Sequence, residues 1–514
     1  MNRQVVIAGG GPTGFWLACE LQLAGVSTLL LEQNLTIPPH SRALTIHPRT
    51  VEVFASRDMH AQFLEEGGRI PSGHFAILDD RLDFEPLDTE FAFTLAILQA
   101  RTTEILEHRA LELGAEVRRG HQVTGFVEQS GSVSVTVDGP EGPYTVDADY
   151  LVGCDGTRST VRQCAGIDYR GTDFTVLGWL GDVIFDNPPE EHAISRWGLD
   201  GSVLIVRLPD GRHRLAGLCP DDVRTDWPGE FTFEELKSKT RAIMGTDFGM
   251  HSPTWLSRYS NTSRQAECYR KGRVLLAGDA AHQHMPAGGV GLNIGIQDAM
   301  NLGWKLAATV NGWAPEGLLD SYHEERHPVG QDLLEHTQAQ TALMTAFSVE
   351  GKELRSLFSK LIAEQPSLEN ALAERLSGLS VRYATAGQDA HMLVGRRAPD
   401  LTFENSDETL FGLLTEAKYV LLDLTSAGHT APRALQAEAA RQAGRLTIHR
   451  APLSSGNDRR AWGSVTAVLV RPDGYVAWAS EASDPGDLSV AIDEVIGENG
   501  LDGSVQSTKV ASAT

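Results

Sequence analysis

The chain has 514 residues, and 44 lysines and arginines against 68 aspartates and glutamates give it a formal charge of −24. So acidic a surface repels phosphate, which argues against nucleic acid as a partner and against docking on anionic lipid through a basic patch. Its 41% hydrophobic residues can build real cores, and at roughly 100–200 residues per domain the length allows about three domains. Five cysteines, none in a C-x-x-C pair, exclude a disulfide scaffold and a cysteine-based zinc site and point to a reducing, cytoplasmic setting. No uncharged apolar run approaches the roughly 18–20 residues of a membrane span. The apolar start resembles a secretory signal only until Gly9, Gly10, Gly11 and Pro12 divide it into a strand and a turn.

In chain order, residues 5–8 read as a buried strand, 9–14 as a tight turn, 15–24 as a helix and 27–31 as a second strand, a βαβ opening. Residues 101–113 have helical spacing, 115–117 suit a short strand, and 133–137 alternate like an antiparallel strand. Residues 168–268 are richer in strands, with 174–185 one of them. A hairpin is expected there from 203–208 and 212–219 around Pro209-Asp210-Gly211. After Gly291, Leu292, Ile296, Ala299, Leu302, Leu306 and Val310 recur at helical steps, and further helices are expected over 319–379. Beyond Pro399 strands and helices alternate again, with strands at 419–424 and 465–470, before a polar tail.

Gly9-Gly10-Gly11-Pro12-Thr13-Gly14 satisfies G-x-G-x-x-G directly after a strand, and Glu32 ends the next strand. That context makes it a dinucleotide fingerprint. Gly9 permits the turn, Gly11 lets backbone N–H groups approach a pyrophosphate, and Gly14 allows close packing of helix on strand. Pro12 and Thr13 belong to the same turn, and Gln33 follows Glu32 into the site. The Glu32 carboxylate can accept from a ribose diol and would repel a 2′-phosphate, so this site suits FAD or NAD rather than NADP.

His323-Glu324-Glu325-Arg326-His327 matches the zinc motif H-E-x-x-H. Pro328 is expected to push His327 off the helical face of His323, and Leu333 stands where an extended zinc motif needs histidine. His282 and His284 read as loop structure, and no metal is expected. G-x-S-x-G is absent, which removes a hydrolase elbow.

Gly153-Cys154-Asp155-Gly156-Thr157-Arg158-Ser159-Thr160-Val161-Arg162 resembles the D-G motif of class A flavoprotein monooxygenases. Gly278-Asp279-Ala280-Ala281-His282, followed by Pro286, Gly288, Gly289, Gly291, Asn293, Gln297, Asp298, Asn301 and Lys305, resembles their G-D motif. Ser41-Arg42-Ala43, His47-Pro48-Arg49-Thr50 and Gln99 extend the likeness over residues 1 to about 390. The branch most resembled is that of the aromatic polyketide hydroxylases and antibiotic-modifying monooxygenases. The lack of W-x-W-x-I-P sets the related halogenases aside.

The resemblance implies an α/β fold: a Rossmann-like FAD-binding domain (1–170 and 270–394), an inserted mixed β-sheet substrate domain (171–269), a thioredoxin-like C-terminal α/β domain (395–502) and a tail (503–514). That C-terminal domain has no cysteine, so it would be structural or an assembly surface. Asp279 is implied to hold the ribityl chain, and Pro286, Gly291, Leu292 and Asn293 to lie beside the flavin ring. Arg42, Gln99, Arg101 and backbone groups at Val123 are implied to line the cofactor, and Asp155 and Thr157 to touch FAD or organise the approach of NAD(P)H. Phe15-Trp16 departs from the smaller residues usual in relatives, which puts packing near the pyrophosphate in question.

The implied reaction uses NADPH or NADH and O₂ to hydroxylate a bulky polycyclic aromatic substrate through a flavin C4a-hydroperoxide. Baeyer–Villiger oxygenation, oxidative inactivation of a rifamycin or tetracycline, and a non-catalytic ligand-sequestering role remain alternatives. No second G-x-G-x-x-G occurs, so NAD(P)H should bind transiently. The hydroperoxide needs a dry pocket, whose expected walls are Trp179, Ile184, Trp197 and Leu204 on the inserted sheet with Met285 and Pro286. No protein base is identifiable, and the assembly is a monomer or homodimer.

Overall fold

The computed structural model describes residues 3–384, 390–425, 442, 444–454, 462–482 and 488–497. It opens with β1 (Arg3–Ala8), α1 (Pro12–Leu23) and β2 (Thr28–Glu32). The helix starts inside the expected turn, because Pro12 occupies its first position with φ already fixed for the helix. β1 is the centre of the main sheet, parallel to β2 on one side and to the end of strand Gly142–Gly153 on the other. Val274–Leu276 adds beyond Gly142–Gly153 and Glu116–Arg119 beyond β2, both also parallel. Val5, Val6, Ile7, Leu29, Leu30 and Leu31 are all buried, without alternation. That is the signature of a parallel sheet covered on both faces.

Parallel strands finish along one edge. Here that edge gathers the residues after Ala8, Glu32, Gly153 and Leu276, so the glycine turn, Glu32, the D-G segment and the G-D segment meet in one crevice. The bulk of Phe15-Trp16 is taken up in the core, with the Phe15 ring beneath Arg119, 5.9 Å from its guanidinium carbon. Both residues are fully buried, and Trp16 packs edge-on against Phe54 at 5.1 Å between ring centroids.

The inserted region is a five-stranded antiparallel sheet in the order Ala193–Gly198, Gly201–Arg207, His213–Leu218, Leu177–Ile184, His251–Ser260. It includes the expected hairpin. One face, with Trp179, Val183, Val203, Ile205 and Leu215, packs beneath helix Phe233–Met244. The other, with Leu180, Leu218 and Tyr259, packs with Met285, Ala287 and Val290. Strand alternation therefore corrects two expected pocket walls. Trp179 faces the helix and stacks on Phe231, and Ile184 is exposed at its strand end. Trp197 and Leu204, through their registers with Ser202, Ser195 and Ala216, lie on the face of Leu180.

Helices Gly291–Val310, Ser321–Met344, Val349–Glu364 and Pro366–Ser377 follow. The expectation that Pro328 separates His323 from His327 is wrong: the helix runs through the proline, and the two rings sit 4.8 Å apart. Close packing holds the helix there. A Cβ on Gly330 would lie 2.2 Å from the Tyr269 hydroxyl, and Gln265 donates to the His327 carbonyl at 2.7 Å. Both imidazoles rest against Tyr269 and gather no third ligand among the described residues.

The C-terminal region has a mixed four-stranded sheet in the order Leu446–Arg450, Tyr419–Asp423, Ala467–Val470, Val476–Ser480, in which only the first pair is parallel. The tail at 503–514 lies outside the described residues. Buried charge fixes this region to the main sheet's helices. Arg57 forks onto Glu20 at 2.8 Å and also donates to the carbonyls of Leu414 and Pro472. Arg49 pairs with Glu52 and reaches the Asp473 carbonyl, and Arg471 bridges Glu325 and Asp473. Removing one member of such a pair strands the other without water. Arg57→Met is expected to cost about 3–5 kcal/mol, read as a lowered urea midpoint, while Glu20→Leu/Arg57→Met together cost less than the two singles summed.

Candidate active site

The glycine turn is shaped by clearance. Gly9 has φ +106°, and a Cβ there would lie 2.3 Å from the Cys154 carbonyl oxygen, while one on Gly14 would lie 2.1 Å from the Gly9 carbonyl oxygen. Neither position admits a side chain. A Cβ on Gly11, by contrast, meets nothing within 4 Å. Gly11 also has no side chain with which to cap α1, so the first-turn N–H groups and the positive helix end face open space suited to a phosphate. Thr13 contributes only backbone to that space. Its hydroxyl nests between Gly278 and Gly295, where added Cβ atoms would lie 2.8 and 2.4 Å away.

Glu32 is buried and braced. Its Oε2 accepts the Gly10 N–H at 2.7 Å, and Oε1 accepts from the Asn34 backbone and side chain at 2.8 and 2.6 Å. A carboxylate has about four lone-pair sites, so capacity for a ribose hydroxyl remains. Gln33 beside it is exposed. In the D-G segment, Asp155 Oδ2 accepts the Val161 N–H at 3.1 Å, whereas Oδ1 is buried without a partner. Burial raises the Asp155 carboxyl above its ordinary range, against the pull of Ser159 and Val161. An orphaned buried acceptor beside this turn fits a hydroxyl-bearing cofactor. The Thr157 carbonyl accepts from Arg162, whose other nitrogen reaches the Ala280 carbonyl at 2.8 Å and so ties the two motifs together.

Asp279 stands in the short turn Gly278–Ala280 after strand Val274–Leu276, open to solvent on one side. Surrounding protein raises its carboxyl, while His282 and Arg42 pull it back. The next segment is clamped. Met285 is buried and Pro286 exposed, and Gly288 and Gly289 have φ +73° and +67°. A Cβ on Gly289 would lie 2.2 Å from Thr45 Oγ1. Asn293 closes the clamp: Oδ1 accepts the His47 N–H at 2.8 Å, and Nδ2 donates to the carbonyls of Thr45 and Gly289 at 3.1 and 3.0 Å. Its amide is spent on protein. What faces outward at Gly291 and Leu292 is therefore an uncapped helix N-terminus.

Arg42 lies across from Asp279. Its Nη2 donates to the Arg258 carbonyl at 3.0 Å, and burial lowers its pKa against the attraction of Asp279. Gln99 opens helix Gln99–Glu112, and its N–H bonds to the Ala43 carbonyl at 3.2 Å, which puts it beside the Arg42 segment. Arg101 forks onto Glu66 at 2.6 and 2.7 Å and also reaches Glu104, and the side chain of Val123 lies in the core on a strand paired at Val137. Trp197 stacks on Phe347 and donates to the Met344 carbonyl at 3.0 Å.

Sequence reasoning gave no role to Asp298, Arg326 or His47. Asp298 accepts from His282 Nε2 at 2.7 Å, the Gly278 N–H at 3.1 Å and Arg326 Nε at 2.7 Å. Burial would raise this carboxyl, but Arg326 and His282 outweigh it and hold it low. The available signal was a carboxylate between Ile296 and Ala299, on a helical stripe that otherwise reads as apolar.

A glycine turn at a helix N-terminus, a diol-accepting glutamate, an orphaned aspartate and a second helix N-terminus define a flavin nucleotide site on an α/β fold. Residues 2–337 match the FAD binding domain family, and residues 391–499 match the C-terminal domain of aromatic-ring hydroxylases. The chain belongs to the class A flavin-dependent monooxygenases. It is 43% identical over 491 residues to a 12-dehydrotetracycline 5-monooxygenase/anhydrotetracycline 6-monooxygenase of Streptomyces rimosus, covering 93% of this chain and 96% of that protein. It is 40% identical over 495 residues to a rifampicin monooxygenase of Streptomyces venezuelae, covering 93% and 95%. The solved structure of the anhydrotetracycline hydroxylase OxyS from S. rimosus superposes with a TM-score of 0.87 at 41% identity, over 97% of this chain and 99% of that one. The expected class, FAD as its cofactor and the α/β fold are thus borne out.

Gly11→Ala is expected to leave the apoprotein's unfolding midpoint nearly unchanged and to weaken FAD binding about tenfold or more by fluorescence titration, because its Cβ enters only the ligand space. Gly14→Ala should fail to fold. Acid provides a second check. Burial holds the His47 and His284 rings down at about 4 against an ordinary 6.5. Between those values the unfolded chain binds protons that the native state refuses, so their stabilisation is complete above 6.5 and is lost as pH falls toward 4. Unfolding midpoints measured across that window should fall with acid, and His47→Asn should lower the slope by about one proton.

Proposed function

We propose that this flavin-dependent monooxygenase takes electrons from NADPH or NADH and uses O₂ to hydroxylate a bulky polycyclic aromatic compound of the polyketide type. The observation that carries the reading is the sheet face of Leu180, Leu204, Ala216, Leu218, Trp255 and Tyr259, which is turned toward the Met285-Pro286 segment beside the flavin site. A broad, largely apolar wall suits a fused-ring substrate and excludes water. Bound FAD supplies the oxygen-activating chemistry. The chain's own residues position it: α1 and the Gly9–Gly14 turn take the pyrophosphate, Glu32 the adenosine ribose, and Asp155 and Asp279 the polyol and ribityl side. The N-terminus of helix Gly291–Val310 offers fixed N–H dipoles to negative charge on the reduced ring.

The nicotinamide donor docks transiently near Asp155 and Thr157. Of the expected lining, Trp197, Leu204 and Met285 retain a place on the substrate side. The setting is cytoplasmic, the working unit a monomer or homodimer; no described helix is long and apolar enough to cross a membrane. Similarity to the rifampicin enzyme favours a second reading, oxidative inactivation of an antibiotic, with the same machinery and a different substrate.

Stopped-flow reduction by NADPH and NADH, against a panel of fused-ring phenols with rifampicin and a tetracycline included, tests the proposal. A fused-ring phenol should accelerate flavin reduction at least about tenfold and emerge 16 mass units heavier. Acceleration only by an antibiotic would favour the second reading, and no oxygen transfer to any compound would overturn both.

A further inference from the structure

The substrate-facing side of the inserted sheet carries a buried ion pair that the cofactor and pocket assignments leave unused. Arg214, Asp182 and Trp255 stand abreast on three adjacent strands, with Asp182 registered opposite both of the others. Arg214 is 4% exposed and Asp182 1%. The guanidinium forks onto the carboxylate, Nε to Oδ1 at 2.8 Å and Nη2 to Oδ2 at 2.7 Å, and lies 5.2 Å over the Trp255 ring. A buried pair of this kind stabilises little compared with apolar packing, and its best-attested use is to specify an arrangement.

The arrangement specified is that of the segment bearing Arg42. The remaining nitrogen of Arg214, Nη1, donates to the Ser41 carbonyl, one residue before Arg42. Trp255 stacks on His40 with centroids 5.6 Å apart and planes 9° from parallel. Arg42 then donates to the Arg258 carbonyl and, at 3.5 Å, to Ser257 Oγ on the same edge strand. Residues 40, 41 and 42 are each fastened to the substrate sheet by a different contact. On the other side, the Ala43 and Leu44 carbonyls accept the N–H groups of Gln99 and Ile97 in the cofactor domain.

We propose that the Asp182–Arg214 pair is a positioning device for Arg42: it holds the 40–42 segment against the substrate sheet so that the guanidinium is presented to the flavin nucleotide. Asp182 fixes the orientation of the Arg214 fork, Arg214 carries the tether to Ser41, and Trp255 supports both. Placement of the cofactor-side cation is thereby tied to the sheet on which the substrate lies. The inference rests on the reading of Arg42 as a cofactor residue, and its test separates the two.

The measurements are exchange of the Ile97 and Gln99 amides, which are bonded to the Leu44 and Ala43 carbonyls of the tethered segment, and the FAD dissociation constant, both on full-length protein. Arg214→Met should speed exchange of the Ile97 and Gln99 amides about tenfold, leave exchange of strand Tyr419–Asp423 unchanged, and weaken FAD binding about tenfold. Arg42→Ala should weaken FAD comparably. Adding Arg214→Met to it should cost less than about a further twofold, because the two act along one path. Arg214→Lys, which keeps the charge and loses the fork, should fall between wild type and Arg214→Met, and it carries the same comparison if the methionine variant does not fold. Unchanged exchange at Ile97 and Gln99 overturns the tether, and multiplicative losses in the double variant overturn its action through Arg42. Normal FAD binding by Arg42→Ala, together with faster exchange in Arg214→Met, would refute the cofactor reading of Arg42 and leave the tether standing.

Discussion

One fully buried carboxylate holds the second half of the flavin site together. Asp298 lies about two turns into helix Gly291–Val310 and gathers the Gly278 N–H, the His282 ring and the Arg326 guanidinium. Those groups come from the strand end that bears Asp279, from the flavin-side loop and from helix Ser321–Met344. Isolated in apolar surroundings, such a charge would cost several kcal/mol. With three donors it becomes the point that fixes where Asp279 stands relative to the helix N-terminus. Tyr322, on the same helix as Arg326, adds a bond to the Leu276 carbonyl at 2.7 Å.

The other half is set by backbone clearance rather than charge. Gly9, Gly14, Gly278 and Gly295 let β1, α1 and helix Gly291–Val310 approach until Thr13 fills the remaining space. This close contact brings the two helix N-termini to one crevice, and the Asn293 clamp holds the second of them open. The helix is also held from its far side: Asn301 and Trp304 donate to Asp473, and Lys305 to Glu325, within the ionic cluster that docks the C-terminal region. That region, without a cysteine, braces the helix whose start faces the flavin.

Much of this was legible in the sequence because the fingerprint glycines, Glu32, Asp155 and Asp279 act through local rules: a strand, a turn, and a helix that must begin there. Elements followed their periodicity closely, with Gly291–Val310 the clearest case. Three kinds of feature were not legible. The face on which Trp179 would fall depends on which side of the sheet helix Phe233–Met244 covers, a tertiary fact. Pro328 was read by its local preference, which packing against Tyr269 and Gln265 overrides. Arg101 forks onto Glu66, a carboxylate 35 residues away in sequence that no local pattern connects to it. Asp182 and Arg214 are 32 residues apart and pair only because two strands bring them abreast.

Function follows from the same constraint. On the proposed reading, the apolar sheet face that packs on the Met285–Val290 segment, with the buried Asp182–Arg214 pair beside it, is where bulky substrate and cofactor share one dry junction. The most direct measurement is the visible spectrum and flavin content of the full-length protein, purified without added cofactor and then titrated with FAD after its removal. The account requires a yellow protein holding one FAD per chain, which the stripped protein takes up again with quenching of the free flavin's fluorescence. A colourless protein that takes up no FAD would contradict it.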